Sequence, residues 1–557
     1  MDAFLREAEA FRSERVFEDI VAISRFHRIQ GSEDIVKAAE YVLSRLEEEG
    51  IEAELIRDGY DGKRLHLTLR SPIAWELIEG YVEYGEKKLT TKDSPLLVMA
   101  HSPPGEAEGE LLPILREEDW EKAEGKVVLV GEKWREAYKR ANEAGAKAFI
   151  AYRKGTGEAF PYVGLFLTRE DLKWAKIPAV AVPEKVAEDL ITKAKKGGVQ
   201  VKVRVETEVR DKATLPIVYA RIGEPPYLLF SAHICHPKPG ANDNASGSAM
   251  LIEIARLLKN VKSRVGFAFL WVPEYHGTQA FISRAELEEI YANINLDMVA
   301  GSDDRAGSTV MLVRNPLSRF SLVSGILEHF LAKVNVEGKS FSGNPLPRFR
   351  LKAYPYEMGS DHDVFNFFGV PGTMPITWPD RFYHSSADSP EKLSLEVMTV
   401  IGRAALATAL AVARAGKGEL ERFARGYAMK VLGEISMERK LEEAGRLVMN
   451  GLARDSRLLG LEIGNTFEPE PWLEWREKGI ISARRVKEID EKKGKVLEEL
   501  FEDRTFTVHL HELLMLGEML PKEKAFRALE EEYGKVDREK LERALRILEE
   551  VGFVREI

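Results

Sequence analysis

The 557-residue chain has a single cysteine, Cys235, so no intrachain disulfide can form, and a reducing compartment, the cytoplasm, is the expected location. Glutamine is almost missing. Gln30, Gln200 and Gln279 stand against 91 acidic and 81 basic residues, and such depletion of a thermolabile amide points to a thermophile. No apolar run approaches the ~20 residues that span a bilayer, and residues 1–15 lack the apolar stretch of a signal peptide, so no membrane partner is expected. Basic charge is not in excess. With a formal net charge of −10 there is no electrostatic reason to expect nucleic acid.

What is present is a globular composition, 44% apolar and 31% charged, in a chain too long for one hydrophobic core. Residues 1–74 read as two N-terminal helices, at 2–24 and 33–49, followed by strands at 51–56 and 65–69. Between 75 and 205 the texture changes to short strands and helices. The phrases Gly125-Lys126-Val127-Val128-Leu129-Val130, Ala144-Gly145-Ala146-Lys147-Ala148 and Ile177-Pro178-Ala179-Val180 resemble a protease-associated domain, implying an inserted α/β unit. Residues 206–416 alternate strand and helix, which predicts a mostly parallel sheet sandwiched by helices, with ligands bound beyond the carboxyl ends of the strands. Residues 417–500 read as helical. Residues 501–557 end in a helix bearing Leu541, Leu545 and Leu548 on one face and then Gly552-Phe553-Val554, which resembles the end of a winged helix. Ten Lys/Arg against fourteen Asp/Glu in that tail favour packing or homo-oligomerisation over DNA contact.

Chemistry concentrates at strand ends. His233 closes the run 227–232, Asp243 sits in the turn before the next helix, Glu274 follows the strand 265–272, Asp297 follows 291–296, and His384 lies in a later loop. Neutral imidazole and carboxylate are the donors zinc accepts, so these five side chains form a candidate metal cage. Asp243 also has a place to cap the next helix, although Ser246 is better positioned for that role.

The phrases Gly240-Ala241-Asn242-Asp243-Asn244-Ala245-Ser246-Gly247, Asn295-Leu296-Asp297, Ser360-Asp361-His362, and Tyr383-His384 with Asp388 and Glu391-Lys392-Leu393 resemble the zinc aminopeptidase family, whose superfamily also holds glutaminyl cyclases. The resemblance implies a zinc exopeptidase-like fold in which His233 and Asp297 hold one zinc, His384 helps hold a second, and Asp243 bridges them. It also implies a cis Asp243–Asn244 bond. The expected cofactor is one or two zinc ions, replaceable by cobalt, and the expected substrates are short peptides.

Two departures stand out. The family's double Glu is replaced by Pro273-Glu274-Tyr275-His276, leaving one carboxylate to act as general base or as ligand, with His276 as a substitute ligand. The Asp of the family's His-x-Asp phrase is replaced by Cys235, followed by His236. That phrasing resembles a divergent aminopeptidase-like branch with a C-terminal winged helix. Asp361, His362 and Asp388 read as supporting groups, with Asp388 placed to orient His384. Three activities fit: a metallo-aminopeptidase, a non-catalytic binding protein that kept the fold, and a glutaminyl-cyclase-like acyltransferase.

Overall fold

The computed structural model describes the backbone of residues 1–557 and the side chains of all but positions 336 and 337. Its centre is the strand Tyr227–His233, whose seven residues are all buried. Such a run, apolar on both faces, suits a strand with helices above and below it. It lies inside an eight-stranded sheet ordered Ala53–Tyr60, Ala213–Ile222, Gly266–Val272, Tyr227–His233, Ile290–Asn295, Gly372–Trp378, Thr309–Val313 and Leu351–Tyr354. The four central strands run parallel. Antiparallel pairing enters on one side through Ala213–Ile222 and Ala53–Tyr60, and on the other through Thr309–Val313 against Gly372–Trp378.

The parallel centre is what positions the chemistry. His233 stands opposite Val272, one strand over, and Ser231 opposite Asn295, so the residues just past three neighbouring strands emerge together at one sheet edge. One face of the sheet is covered by the helices Ser13–Ile23, Glu33–Glu48, Gly247–Leu258 and Leu395–Arg414, which share its large core. A smaller core on the other face gathers Tyr60, Leu229, Leu270, Phe281 and Phe365. Each fully buried Leu or Phe contributes ~1.5–3 kcal/mol of burial free energy.

Several expectations are refined. The first predicted helix is two, Asp2–Ala8 and Ser13–Ile23. Residues 65–70 form a separate two-stranded ribbon and do not join the main sheet. Leu395–Arg414 is long and apolar enough, by length and composition, to cross a membrane, contrary to the reading that no run approached that length. Most of it is buried, and it packs on the helices Asp2–Ala8, Ser13–Ile23 and Leu322–Val334.

Between Tyr60 and Ala213 the chain builds a second, seven-stranded sheet with its own core. Its first long strand, Ala74–Tyr84, pairs antiparallel with its last, Gln200–Arg210, placing Ala74 opposite Arg210. Val127–Val130, Ala148–Ala151 and Ala179–Ala181 pair in parallel at its far side.

The C-terminal region holds seven helices between Lys417 and Glu550 and one two-stranded ribbon, in which Leu473–Trp475 pairs with Val554–Glu556. The final strand therefore reaches back across the boundary expected at 500. Its apolar faces merge with the main core, so these helices pack as one body with the sheet. Buried carboxylates join these helices to the sheet body and to one another. Asp455 accepts from the Leu322 amide, Glu531 from the amides of Glu443 and Ala444, and Glu512 and Glu532 from those of Ser318 and Leu317. Each satisfies backbone donors that a helix start would otherwise leave unpaired.

Candidate active site

Asp243 is the hub. Its Oδ1 lies 3.3 Å from His233 Nε2 and 3.3 Å from His236 Nδ1, and its Oδ2 lies 3.2 Å from His384 Nε2. His233 Nε2 is also 3.4 Å from Asp297 Oδ1. Two donor sets result, His233–Asp243–Asp297 and His236–Asp243–His384, each close enough to hold one metal ion and both sharing Asp243. Four of the five expected residues are thus brought together. Glu274 belongs to neither set, and the third imidazole is His236, whose sequence context assigns it no role.

The loop carrying Asp243 is held by its own asparagines. Asn244 donates to the Leu296 carbonyl and accepts from the amides of Gly247 and Met298. Asn242 donates to Asp380 and accepts from the Ala300 amide. Ser246 does not cap the helix Gly247–Leu258 as expected, because its hydroxyl donates to the Asn242 carbonyl and accepts from the Val299 amide. Gly247 is required by contact, since a Cβ there would lie 2.1 Å from the Leu296 carbonyl oxygen. The Asp243–Asn244 bond is cis. Asp388, expected to orient His384, instead accepts from the amides of Asn242 and Asp243.

Arg28 closes the other side. Fully buried, its guanidinium donates to the carbonyls of Ile23, Phe26, Ile234, Pro239 and Gly240, pinning the segment that carries Cys235 and His236. Nothing in the sequence around Arg28 signals this role. Cys235 is a support as well. Its sulfur accepts the Glu274 amide at 3.1 Å and the Gln30 side-chain amide at 3.4 Å. Asp361 holds the same turn by accepting from the Tyr275 amide and the Thr278 hydroxyl. His276 points away from both donor sets and packs edge-on against His66 and Tyr60. His362 is bonded to the Glu357 carbonyl, apart from the cage.

Three residues at the cage, Tyr275, Met298 and His384, have φ values of 57°, 52° and 55°. Each costs on the order of 1–3 kcal/mol for a residue with a side chain, strain that the surrounding bonds must hold.

The donor set fits zinc. His233 Nδ1 donates to the Cys235 carbonyl at 3.0 Å, which leaves the lone pair on Nε2 facing the two aspartates. Asp297 Oδ1 is buried and accepts no hydrogen bond, an orphan that a cation would satisfy. Burial opposes a charged His233, yet Asp297, Glu274 and Asp243 outweigh it and hold its pKa well above the usual range. Burial likewise works against an ionised Asp243, but His236, His233 and His384 hold its carboxyl well below the usual range. Glu274 goes the other way. Burial, reinforced by Asp297 and Asp361, raises it well above the ordinary carboxylate value despite His233.

The cage opens on a cleft of ≈ 440 Å³, lined from below by Arg28, Gln30, Cys235, His236, Glu274 and His384. Its other wall comes from the inserted sheet. Tyr162 packs edge-on at 5.1 Å against both His236 and His384, and its backbone amide donates to the His384 carbonyl.

Residues 218–409 match the family described as peptidase family M28. Over that stretch the chain is similar to the M28 peptidases. The matched stretch contains every residue of the two donor sets, while the inserted sheet and all seven C-terminal helices lie outside it. Among curated relatives, aminopeptidase YwaD of Bacillus subtilis is 27% identical over 297 residues, covering 50% of this chain and 61% of YwaD. A Clostridium acetobutylicum protein described under polysaccharide biosynthesis, with an aminopeptidase-like domain, is 35% identical over 80 residues, 14% of this chain and 18% of its own length. The chain thus spans under two thirds of each. The fold is shared with BSAP, a zinc aminopeptidase from Bacillus subtilis, at TM-score 0.55 and 21% identity over 73% of this chain and 96% of that one. It is also shared with a Clostridium acetobutylicum structure described as a peptidase, at TM-score 0.54 and 15% identity over 82% and 95%.

Proposed function

We propose that the protein is a zinc aminopeptidase that removes N-terminal residues from short peptides. The observation that carries this reading is the sharing of Asp243 between two N/O donor sets at the mouth of a cleft. His233, Asp243 and Asp297 would hold one zinc; Asp243, His236 and His384 would hold the other. When bound there, zinc supplies a Lewis acid for the scissile carbonyl and acidifies water at neutral pH.

The rest of the chemistry falls to the chain. Glu274, outside both donor sets and facing the cleft, is the general base: it takes a proton from water and passes it to the departing amine. Cys235 and Asp361 fix the turn from which it projects. The inserted sheet, which we read as a protease-associated domain, roofs the cleft through Tyr162, shields the reaction from bulk water and limits entry to small substrates. The M28 match and the similarity to YwaD support the reading.

Elemental analysis of the purified protein, paired with a panel of aminoacyl amides and dipeptides, tests it. Two zinc equivalents and turnover, with Glu274→Gln keeping its metal and losing about 10²–10⁴-fold in kcat, is the expected result. Bound metal with no turnover of any substrate leaves the binding-protein alternative. Cyclisation of N-terminal glutamine without peptide cleavage leaves the acyltransferase.

A further inference from the structure

The cleft wall opposite the cage is cationic, and two of its cations have no carboxylate partner. Arg28 is spent on backbone carbonyls, and Lys133 is paired with Glu502 at 2.6 Å. Arg135 and Arg153 remain. Arg135 donates one bond, to the Gly164 carbonyl at 3.1 Å, and its guanidinium lies 4.7 Å from the centre of the Phe166 ring. Arg153 donates one bond, to the Tyr383 carbonyl at 3.4 Å, and lies 5.5 Å from the Trp134 ring. Among the described residues neither makes an ion pair with Asp or Glu, including the neighbouring Glu136.

Each guanidinium is therefore positioned by an aromatic face and a single carbonyl, with most of its five N–H donors unused. Both line the same cleft as Glu274, His236 and His384. Arg135 also stands in the first turn of the helix Trp134–Glu143. That helix start has no side-chain cap, and its positive end faces the same space.

The field across the cleft is thus polarised, with carboxylates at the cage end and unneutralised guanidiniums at the far end. A short peptide with a free amine and a carboxylate matches it in sign at both ends. We propose that Arg135 and Arg153 form an anion subsite that binds a carboxylate of the substrate beyond the scissile bond. This deepens the peptidase reading and rests on it for the direction in which the substrate lies. The ligand chemistry is a carboxylate held by planar N–H forks, from the C-terminus of a dipeptide or from an acidic second side chain.

Three compounds separate the sources: leucyl-alanine as the free acid, its C-terminal amide, and leucyl-glutamate amidated at the C-terminus with its side-chain carboxylate free. Initial rates are measured on the zinc-loaded protein, and binding is measured by calorimetry on Glu274→Gln. A KM about tenfold lower for a carboxylate-bearing compound than for the neutral amide, ~1.4 kcal/mol, is expected, with the ratio falling toward one in Arg135→Gln and Arg153→Gln. Preference for the free acid assigns the C-terminal carboxylate; preference for the glutamyl amide assigns the side chain. Equal KM and equal affinity for all three overturns the subsite, whatever the variants do. If no compound turns over, the peptidase reading fails, and the calorimetric comparison still decides whether a carboxylate binds here. Should a Gln variant misfold, Arg→Lys at the same position keeps the charge but loses the fork, and a partial loss of preference is expected.

Discussion

Asp388 holds Asp243 through the backbone: its Oδ1 accepts the Asn242 amide at 2.8 Å and its Oδ2 the Asp243 amide at 3.0 Å. The shared carboxylate of the cage is aimed by a second carboxylate that touches no other cage residue's side chain. Asp388→Asn keeps the size but replaces one acceptor by a donor facing an N–H group. A loss of about 10–100-fold in zinc affinity is expected, read by chelator competition, because supporting groups of a metal site contribute on that scale.

Asp243→Asn removes the charge common to both donor sets. Zinc content falls to near zero, and activity is not restored by added zinc or cobalt. His236→Ala separates the two positions, since it touches only the His236–Asp243–His384 set. One of two zinc equivalents should be lost in elemental analysis. Loss of neither shows that His236 is not a ligand.

Arg28 supports the loop from inside. Removing its guanidinium strands buried carbonyls, each left unpaired costing ~1–3 kcal/mol, so Arg28→Met should destabilise the fold by more than about 3 kcal/mol. Denaturant unfolding checks this, and a change under about 1 kcal/mol contradicts the role assigned to it.

The joint to the C-terminal helices is pH-sensitive. Burial pushes Glu512 up to about 7 and, with Glu512 beside it, raises Glu532 well above the ordinary glutamate value of 4.5. Between that value and about 7 the folded state binds protons that the unfolded chain has released. Stability therefore falls as pH rises through this window. Glu512→Gln should flatten the fall in Tm from about pH 5 to about pH 8 relative to the parent protein, measured by thermal unfolding.

Much of the cage was legible because strand ends are legible. His233, Asp297 and Glu274 each follow an apolar run, and parallel pairing brings such ends together without further information. His236 was harder. It sits three residues past its strand in a loop whose path is set by Arg28, some two hundred residues away in sequence, and no local pattern encodes that clamp. Glu274 was ambiguous for a different reason. One residue of uncertainty at a strand end turns a side chain to the other face, and the Pro273 turn is held by Cys235 and Asp361, partners distant in sequence. The parallel centre of the sheet followed from alternating strand and helix. Its antiparallel margins did not, since pairing partners such as Ala53 and Ala220 lie far apart along the chain.

That distance carries a consequence for assembly. Strands Ala53–Tyr60 and Ala213–Ile222 are neighbours only if the intervening polypeptide returns to its starting point, an entropic toll that grows with the logarithm of the loop. Because Ala74 faces Arg210 within the insert, a folded insert delivers its two ends side by side and acts on the main sheet as a tight turn does. The order of events that follows is insert first, sheet margin second. A lesion in the Ala74–Arg210 pairing should then surface as slow maturation of a metal cage whose own residues are untouched.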